Sequence, residues 1–336
     1  MTDARPSNGT ADTAATTGST SGTGEAPLSS RAQLAVRLAT TAGRRLGLRA
    51  DEPRVLHDVF NVLVHLAPDP VVVRVPTLAL ASVTEQAAKQ RHELAVAGWL
   101  ADRGAPVVRP SPLVPREPVE IEGKSLTFWE FVSEVDTLGE PSEADPGRLE
   151  EHFAEQTGWT AELHALLAEY PGELPVLSPL VPALAEPLAQ LRERPQTLTP
   201  ADLGRAEREY QVLETVVRDL PAHFPGARLR TLHGDAPFYN VLRTAEGYLF
   251  NDFEDVTRGP AEWDLTLVGP RGIAEYERVS GARVDPALLT FMEGARLLQI
   301  VGALAIVPQL PELGPMLEPS IAQWRARAEL TLPGAE

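Results

Sequence analysis

Side chains that can bind a metal ion through oxygen flank a short predicted hairpin late in the chain. The apolar runs 241–242 and 248–250 lie on either side of a turn, which is the pattern of a β-hairpin. Asp235 and Asn240 precede this hairpin, and Asp252 follows it. Because the two ends of a hairpin lie close together, these oxygens can converge on one point. Carboxylate and amide oxygens suit a hard divalent cation such as Mg²⁺, which fills its remaining positions with water and phosphate.

The order of these residues is more specific than their composition. His233 begins a His-Gly-Asp triplet, Asn240 follows it, and Asp252 begins an Asp-Phe pair after the hairpin. Kinases with the protein-kinase-like fold use this order. Since Gly234 lies where protein kinases carry arginine, the segment resembles the aminoglycoside phosphotransferase and choline-kinase-like family. The alternative interpretation is a loop in which Asp235 and Asn240 only cap turns.

The resemblance implies a fold class and a reaction. The fold is α+β and two-lobed, protein-kinase-like, with a small antiparallel-sheet N-lobe that carries one long helix and a mostly helical C-lobe. The reaction is transfer of the γ-phosphoryl group of ATP, with Mg²⁺, to a hydroxyl of a small molecule. In this scheme Asp235 takes the hydroxyl proton, His233 supports the loop, and Asn240 and Asp252 bind the metal.

A second element of the family follows the hairpin. Residues 259–266 resemble its Gly-x-Pro-x-x-Asp-Leu element, with the proline one place earlier. The resemblance implies that Asp264 accepts hydrogen bonds from backbone amides and supports the catalytic loop. The alternative role, a helix N-cap, would have almost the same consequence.

The length of the chain is enough for two packed lobes, since it has 336 residues. Residues 1–30 are mostly Thr, Ser, Gly and Ala, which cannot bury enough apolar surface to offset chain entropy, so we expect a disordered tail there. We expect a nucleotide-covering N-lobe over 31–132. The C-lobe, 133–336, would carry the catalytic loop, the metal site and the acceptor pocket.

Charge and cysteine content exclude several functions. The formal net charge of −17 argues against nucleic-acid binding, which needs a basic surface. The absence of cysteine excludes a disulfide framework, a thiolate nucleophile and sulfur-ligated metals. We find no run of the roughly 20 apolar residues that a membrane span needs, and no secretory signal, so we expect no membrane contact and a cytoplasmic protein. The oligomeric state is left open.

The pattern of the first hundred residues predicts an N-lobe of kinase type. Strands are predicted at 55–60, 61–66 and 71–75, and helices at 31–48 and 78–103. These strands would lie over a nucleotide. No glycine-rich loop joins the first two strands, in contrast to the protein kinases.

One cation and one carboxylate of this lobe are predicted to pair. Arg74 lies in an apolar strand at the place of the kinase lysine, so the resemblance implies that it contacts the ATP phosphates. The alternative is an edge-strand arginine that faces water. Glu93 shares a helix face with apolar residues and needs a partner there, because an unpaired buried charge is costly. We expect that partner to be Arg74; the alternative is a surface pair with Lys89.

A predicted hairpin at 119–131 leads into a linker between the lobes at 129–133. The resemblance implies that the linker backbone, at Glu130, Phe131 and Val132, forms hydrogen bonds with adenine. An aromatic side chain at this place could flank the base or belong to the core, and the sequence leaves both open.

The next segment, 134–173, contains eleven acidic residues and one arginine. Its helical spacing predicts a helix with one apolar stripe. The usual meaning of such a segment is a solvated acidic face. The alternative is an acidic wall that attracts a cationic acceptor, such as an aminoglycoside or an amino-alcohol.

Three other functions compete with the kinase hypothesis. A catalytically silent, kinase-like nucleotide-binding protein is compatible with the missing glycine-rich loop and with Arg74, but retention of Asp235, Asn240 and Asp252 argues against it. A metal-dependent hydrolase using His233 would need more ligands than the segment offers. A protein kinase is disfavoured because no arginine follows His233.

Overall fold

The computed structural model describes residues 28–78, 82–135 and 146–334. Most of the predicted tail, residues 1–27, lies outside the described residues. So do residues 136–145 of the predicted acidic segment. Among the described residues the chain forms a sheet-rich N-terminal lobe and a mostly helical C-terminal lobe.

The N-terminal lobe is built on one antiparallel sheet with the strand order β1-β2-β3-β5-β4. Its strands are β1 Ala50–Asp58, β2 Asn61–Pro68, β3 Val71–Pro76, β4 Val119–Ile121 and β5 Lys124–Glu130. Two helices accompany the sheet, α1 Ser30–Arg45 and α2 Val83–Ala101. The two long helices and the strands predicted at 55–60, 61–66, 71–75 and in the 119–131 hairpin are present, with ends that differ by up to five residues. A strand is also expected to start at 104–110, after the long helix, but there Val107 and Pro110 form only isolated bridges.

The last strand of the N-terminal lobe extends into the predicted linker. The linker was expected at 129–133, but β5 continues to Glu130, and Trp129 pairs with Val72 inside the sheet. Trp129 is buried. The linker therefore begins later than expected, because Trp129 suits a strand and its pairing with β3 extends β5 through it.

Helix α2 is fixed at its start and along its length. Ser82 and Glu85 form a reciprocal capping box, which satisfies two backbone donors at the helix N-terminus. Further along, Leu94 and Leu100 pack with Phe250 and Phe253 of the C-terminal lobe in one hydrophobic core. The two lobes therefore share packed apolar surface, and α2 is held against the segment that contains the predicted metal residues.

The C-terminal lobe contains the remaining helices and two small ribbons. Its helices are α3 Pro146–Leu167, α4 Ala185–Glu193, α5 Pro200–Arg218, α6 Leu220–His223, α7 Gly269–Ser280, α8 Pro286–Ala303 and α9 Leu313–Ala326. Its strands are β6 Arg230–Leu232, β7 Val241–Thr244, β8 Gly247–Phe250 and β9 Thr257–Gly259. Strands β7 and β8 form the hairpin that the sequence predicts, and β6 pairs with β9.

Helix α8 lies in the core of this lobe. Asp285 caps its start through the amides of Ala287 and Leu288. The stretch Pro286–Ile306 has a mean hydropathy of 1.4 and is long and apolar enough to cross a membrane. No such stretch was predicted from the sequence. The stretch is 56 % buried inside the protein, and a core helix passes the same test, so this is weak evidence for a membrane span.

Candidate active site

The predicted catalytic loop, which begins at His233, starts where β6 ends, and its glycine is required by geometry. Gly234 has φ +94°, in the left-handed region that favours glycine. A Cβ atom at this position would lie 2.0 Å from the backbone oxygen of Asp255. No other residue fits there without a shift of the backbone. The close approach ties the catalytic loop to the segment after the hairpin.

Asp264 holds this loop through the backbone, as the family resemblance implied. It is fully buried, and its carboxylate accepts hydrogen bonds from the amides of His233, at 3.0 Å, and Gly234, at 2.9 Å. The ring of His164 lies 2.9 Å from the same carboxylate and 2.8 Å from the Tyr276 hydroxyl. A buried carboxylate with this many donors is a stable support for the loop.

His233 is buried and faces the protein. Its Nε2 lies 2.8 Å from the backbone oxygen of Asn251, and its Nδ1 lies 3.3 Å from the amide of Asp235. These partners fit a neutral ring that donates from Nε2 and accepts at Nδ1. The ring also packs against Phe253, with a centroid distance of 4.6 Å. His233 therefore connects the catalytic loop to the residue before Asp252, which suits support rather than contact with a substrate.

The predicted base, Asp235, is contacted on both carboxylate oxygens. Arg296 Nη1 lies 3.1 Å from Oδ1, and Asn240 Nδ2 lies 3.1 Å from Oδ2. The Asp235 side chain keeps an exposed fraction of 56 %, so an acceptor can reach it. Neighbouring protein atoms nevertheless crowd the carboxyl, and this partial desolvation raises the pKa of Asp235 to about 6, although the positive charge of Arg296 opposes the shift.

The two predicted metal residues lie at the adjoining ends of the hairpin backbone. The amide of Asn251 donates to the backbone oxygen of Asn240 at 3.1 Å, which joins the two ends of the β7–β8 hairpin. Asp252 has a left-handed backbone, with φ +58° and ψ +64°, a strained conformation that is often found at functional sites. Its side chain is 34 % exposed. Asn240 contacts Asp235 through Nδ2, so its amide oxygen is the atom left to face a cation.

The oxygen atoms of Asn240 and Asp252 are suitable ligands for Mg²⁺. Asn240 and Asp252 provide one amide oxygen and one carboxylate, which are hard ligands. In the part of the chain that the structure describes, no group of three or more His, Cys, Asp or Glu side chains could hold a metal ion. A site with two protein ligands is typical of Mg²⁺ bound together with a nucleotide, because phosphate oxygens and water complete the coordination.

Arg74 connects the two lobes through two carboxylates. One end of its guanidinium pairs with Glu93, which is fully buried, and Nη1 lies 2.7 Å from Asp252 Oδ1. The predicted pairing of Arg74 with Glu93 is therefore confirmed, and the alternative pairing of Glu93 with Lys89 is wrong. Lys89 instead lies 3.6 Å from Asp255. Arg74 is buried, so the interpretation as an edge arginine facing water is also wrong.

The predicted adenine contacts lie at the end of β5, and the protein already uses two of their amides. The amide of Glu130 donates to Arg109 at 2.9 Å, and that of Phe131 donates to Pro70 at 2.9 Å. Val132 follows directly. The ring of Phe131 stacks on His65 with a centroid distance of 4.0 Å. The nucleotide-binding role of these three residues stays a prediction.

Sequence reasoning missed Arg296 on α8. Its side chain reaches Asp235 across 61 residues of sequence. One signal was present, because Arg296 is the single cationic residue between Leu289 and Val307, in a mostly apolar stretch. A charge on a buried helix needs a partner, but the sequence does not name that partner.

The comparisons with known proteins agree with this geometry. A model of the phosphotransferase enzyme family (APH) matches residues 57–296, which is more than half of the chain. No curated protein matches the chain.

Several solved structures are similar in fold. The choline kinase LicA from Streptococcus pneumoniae has 14 % identity and a TM-score of 0.58, over 86 % of this chain and 96 % of that one. The aminoglycoside-3'-phosphotransferase of type VIII has 20 % identity and a TM-score of 0.55, over 82 % and 100 %. APH(2")-IIa, in its ternary complex with streptomycin and ATP, has 12 % identity and a TM-score of 0.54, over 91 % and 98 %.

Likeness at this level of identity shows the fold, which is α+β and protein-kinase-like, with two lobes. The family match covers the strands above the site, the catalytic loop, the hairpin and α8 as far as Arg296. The chain belongs to the phosphotransferase enzyme family.

Proposed function

We propose that this phosphotransferase moves the γ-phosphoryl group of ATP to a hydroxyl of a small molecule. One observation carries the proposal. Asp235, Asn240 and Asp252 meet at the two ends of the β7–β8 hairpin, with Arg74 of the other lobe in contact with Asp252. Phosphoryl transfer needs positioning and charge neutralisation more than covalent chemistry by the protein, and this set of side chains provides both.

Asp235 is suited to the acceptor. Its carboxylate is exposed enough to accept a hydrogen bond from a hydroxyl, and Arg296 and Asn240 hold it in place. With a pKa of about 6 it is ionised at neutral pH and still basic enough to take a proton. These are the properties of a general base that orients a hydroxyl toward a phosphorus atom.

Arg74, Asn240 and Asp252 are suited to the phosphates. Asn240 and Asp252 would hold Mg²⁺, which would neutralise charge on the phosphate oxygens. Arg74 is a forked donor that bridges Glu93 and Asp252. Such a fork can exchange one carboxylate for a phosphate oxygen and keep the other.

The acceptor is the finer part of the proposal, and we favour a cationic small molecule. The chain has a formal net charge of −17. Two structural neighbours are a choline kinase and a kinase in complex with streptomycin. Choline and streptomycin both carry cationic nitrogen. The acidic residues of α3 support this less directly, because Glu155 pairs with Arg243 and Glu162 accepts a hydrogen bond from Tyr248. Part of the predicted acidic wall therefore has partners within the protein.

One observation favours a second function, nucleotide binding without transfer. One carboxylate oxygen of Asp252, Oδ1, is engaged by Arg74, and Asp252 is a residue that would hold the metal. If that contact did not open, the chain would bind a nucleotide but would not hold the metal in a productive place.

A coupled assay with a panel of acceptors separates these functions. ADP formation is measured with ATP, Mg²⁺ and a set of amino-alcohols, aminoglycosides and uncharged sugars, and the phosphorylated product is identified by mass spectrometry. We expect ADP to form only with an acceptor, preferentially a cationic one. Nucleotide binding without turnover on any acceptor would support the silent protein, and phosphate release without an acceptor would support a hydrolase.

A further inference from the structure

The guanidinium of Arg296 uses all of its donors within the protein. An arginine has five N–H groups. In Arg296 they point to Thr266 Oγ1 at 3.1 Å, Asp235 Oδ1 at 3.1 Å, Gln299 Oε1 at 2.7 Å, and the backbone oxygens of Gly234 at 3.1 Å and Trp263 at 3.5 Å. No donor is left for a phosphate or an acceptor.

Burial and ring stacking also hold the Arg296 side chain in place. The residue is 8 % exposed, and its guanidinium lies over the ring of Trp263 at 3.8 Å from the centroid. The Trp263 indole N–H donates to the backbone oxygen of Gly234 at 2.8 Å, the same oxygen that Arg296 contacts. Asp264 accepts from the amide of Gly234 on the other side. The catalytic loop is thus held at both ends of the Gly234 residue, next to Asp235.

Both oxygens of the Asp235 carboxylate are fixed by different elements. Oδ2 is contacted by Asn240 from the hairpin side, and Oδ1 by Arg296 from α8. Two contacts on opposite oxygens prevent rotation of the carboxylate. Each oxygen keeps further acceptor capacity, since an ionised carboxylate has about four lone-pair sites, so a hydroxyl can still bind.

We infer that Arg296 is a positioning residue, which fixes the orientation of the Asp235 carboxylate so that it receives the acceptor hydroxyl in line with the phosphate. The inference rests on the proposed function. A role in direct phosphate contact does not fit, because the guanidinium has no free donor and lies on the side of Asp235 away from Asn240. Misplacement of a reacting group by about 1 Å can cost roughly 10²-fold in rate.

The competing explanation is a purely structural arginine, and the chain offers a matched example. Arg205 on α5 lies over the ring of Trp324 at 4.6 Å. It contacts Glu209 at 3.0 Å and the backbone oxygens of Arg325 and Arg327 at 3.2 and 3.1 Å. Arg205 touches none of the residues of the candidate active site. Its side chain is 14 % exposed, so it serves as a control for the loss of a mostly buried, aromatic-stacked arginine.

The test is a kinetic double-mutant cycle. Arg296→Met and Asp235→Asn are made singly and together, and kcat and the KM for ATP are measured with the best acceptor of the panel. We expect Arg296→Met to lower kcat about 10- to 100-fold, with the KM for ATP within about twofold of the wild-type value. In the Asp235→Asn background the same change should cost less than about twofold, because a residue that acts through another has no effect once that other is lost.

Two further variants guard against a loss of folding. Arg296→Lys keeps the charge but loses the fork, and it should give an intermediate kcat even if Arg296→Met does not fold. Arg205→Met should lower the thermal stability and leave kcat unchanged.

The outcomes are distinct. An equal loss from Arg296→Met, or from Arg296→Lys, in both backgrounds overturns the inference, and so does an unchanged kcat in these variants. A wild-type protein that turns over no acceptor overturns the proposed function and this inference with it.

Discussion

Two buried arginines, one in each lobe, contact the carboxylates of the candidate active site, and they are built for different tasks. Arg74 of β3 joins Glu93 to Asp252 through its two terminal nitrogens. Arg296 of α8 contacts Asp235 and fills every other donor with partners from the C-terminal lobe. The first contact crosses between lobes, whereas the second lies within one lobe.

The difference lies in which partner can be released. Glu93 is fully buried, and its Oε1 has no partner among the described residues, so breaking its pair with Arg74 would leave a buried charge alone. Asp252 is 34 % exposed and can be hydrated or can bind a cation. Arg74 can therefore keep Glu93 and exchange Asp252 for phosphate, while Arg296 has nothing to exchange. Under the proposed function, the side of the site that would face the phosphates can rearrange, whereas the side that would face the acceptor is fixed.

The largest effect should come from the base that Arg296 holds. Asp235→Asn keeps the shape of the side chain but cannot accept the hydroxyl proton, so we expect kcat to fall by roughly 10²–10⁴. The affinity for Mg-ATP should change little, since Arg74 and Asp252 remain. Steady-state kinetics and titration with ATP measure the two quantities. Normal turnover in this variant would remove Asp235 from the mechanism.

The buried pair of the other arginine should dominate stability. Glu93→Gln leaves Arg74 with Asp252 as its one charged partner, and breaking a buried pair costs about 3–5 kcal/mol in the free energy of unfolding. We expect the lower end of that range, with a raised KM for ATP, because the released Arg74 is no longer held in place. Urea unfolding measures the first effect.

The control for Glu93→Gln is Glu117→Gln on an exposed pair. Glu117 lies 3.6 Å from Arg91, and its side chain is 68 % exposed. Such pairs contribute about 0–1 kcal/mol. Equal losses of stability in the two variants would contradict the distinction between buried and exposed pairs.

Gly234, whose backbone is hydrogen-bonded to Arg296 and Asp264, should tolerate no side chain. Gly234→Ala places a Cβ against the backbone of Asp255 at a positive φ, so we expect about 1–3 kcal/mol of lost stability from backbone strain alone, with more from the clash. Catalysis should fall as well, because the loop must move. At Gly204 in α5 the backbone is helical, and a Cβ atom would meet only the end of the Arg208 side chain, at 3.4 Å. Gly204→Ala should therefore stabilise the protein by up to about 1 kcal/mol. A harmless Gly234→Ala would show that the loop is not held as described.

The pH dependence should report the environment of Asp235. Burial raises its pKa to about 6, and the base must be ionised, so kcat/KM should fall about tenfold per pH unit below 6 and be constant above it. A carboxyl whose pKa is higher in the folded protein than in the unfolded chain contributes stability at low pH. That contribution is lost as the pH rises through the interval between 3.8 and about 6. Because asparagine does not ionise, Asp235→Asn should abolish the fall in kcat/KM below pH 6. If the fall persisted in this variant, another group would be responsible for it.

Local spacing made half of this site predictable. His233, Asp235, Asn240 and Asp252 lie within twenty residues and are joined by one hairpin, so their approach follows from chain connectivity. The partner of Glu93 followed from the helical period and the cost of a buried charge.

Tertiary packing determines the other half. Arg296 is brought to Asp235 by the docking of α8, and no local pattern specifies that contact over 61 residues. The linker was misplaced because Trp129 and Glu130 suit a strand as well as a connection, and only pairing with β3 decides between them. The acceptor-facing parts depend on how several helices pack, which a single sequence does not specify.

The central claim is that Asp252 and Asn240 bind a metal together with ATP, and calorimetric titration of ATP at zero and saturating Mg²⁺ tests it most directly. We predict that Mg²⁺ tightens ATP binding to the wild-type protein and to a control variant, Asp102→Ala, which loses only an exposed pair with Arg116. In Asp252→Ala, Mg²⁺ should have no effect on ATP affinity. If Asp252→Ala kept the full magnesium dependence of the wild-type protein, the proposed metal site and the mechanism built on it would be wrong.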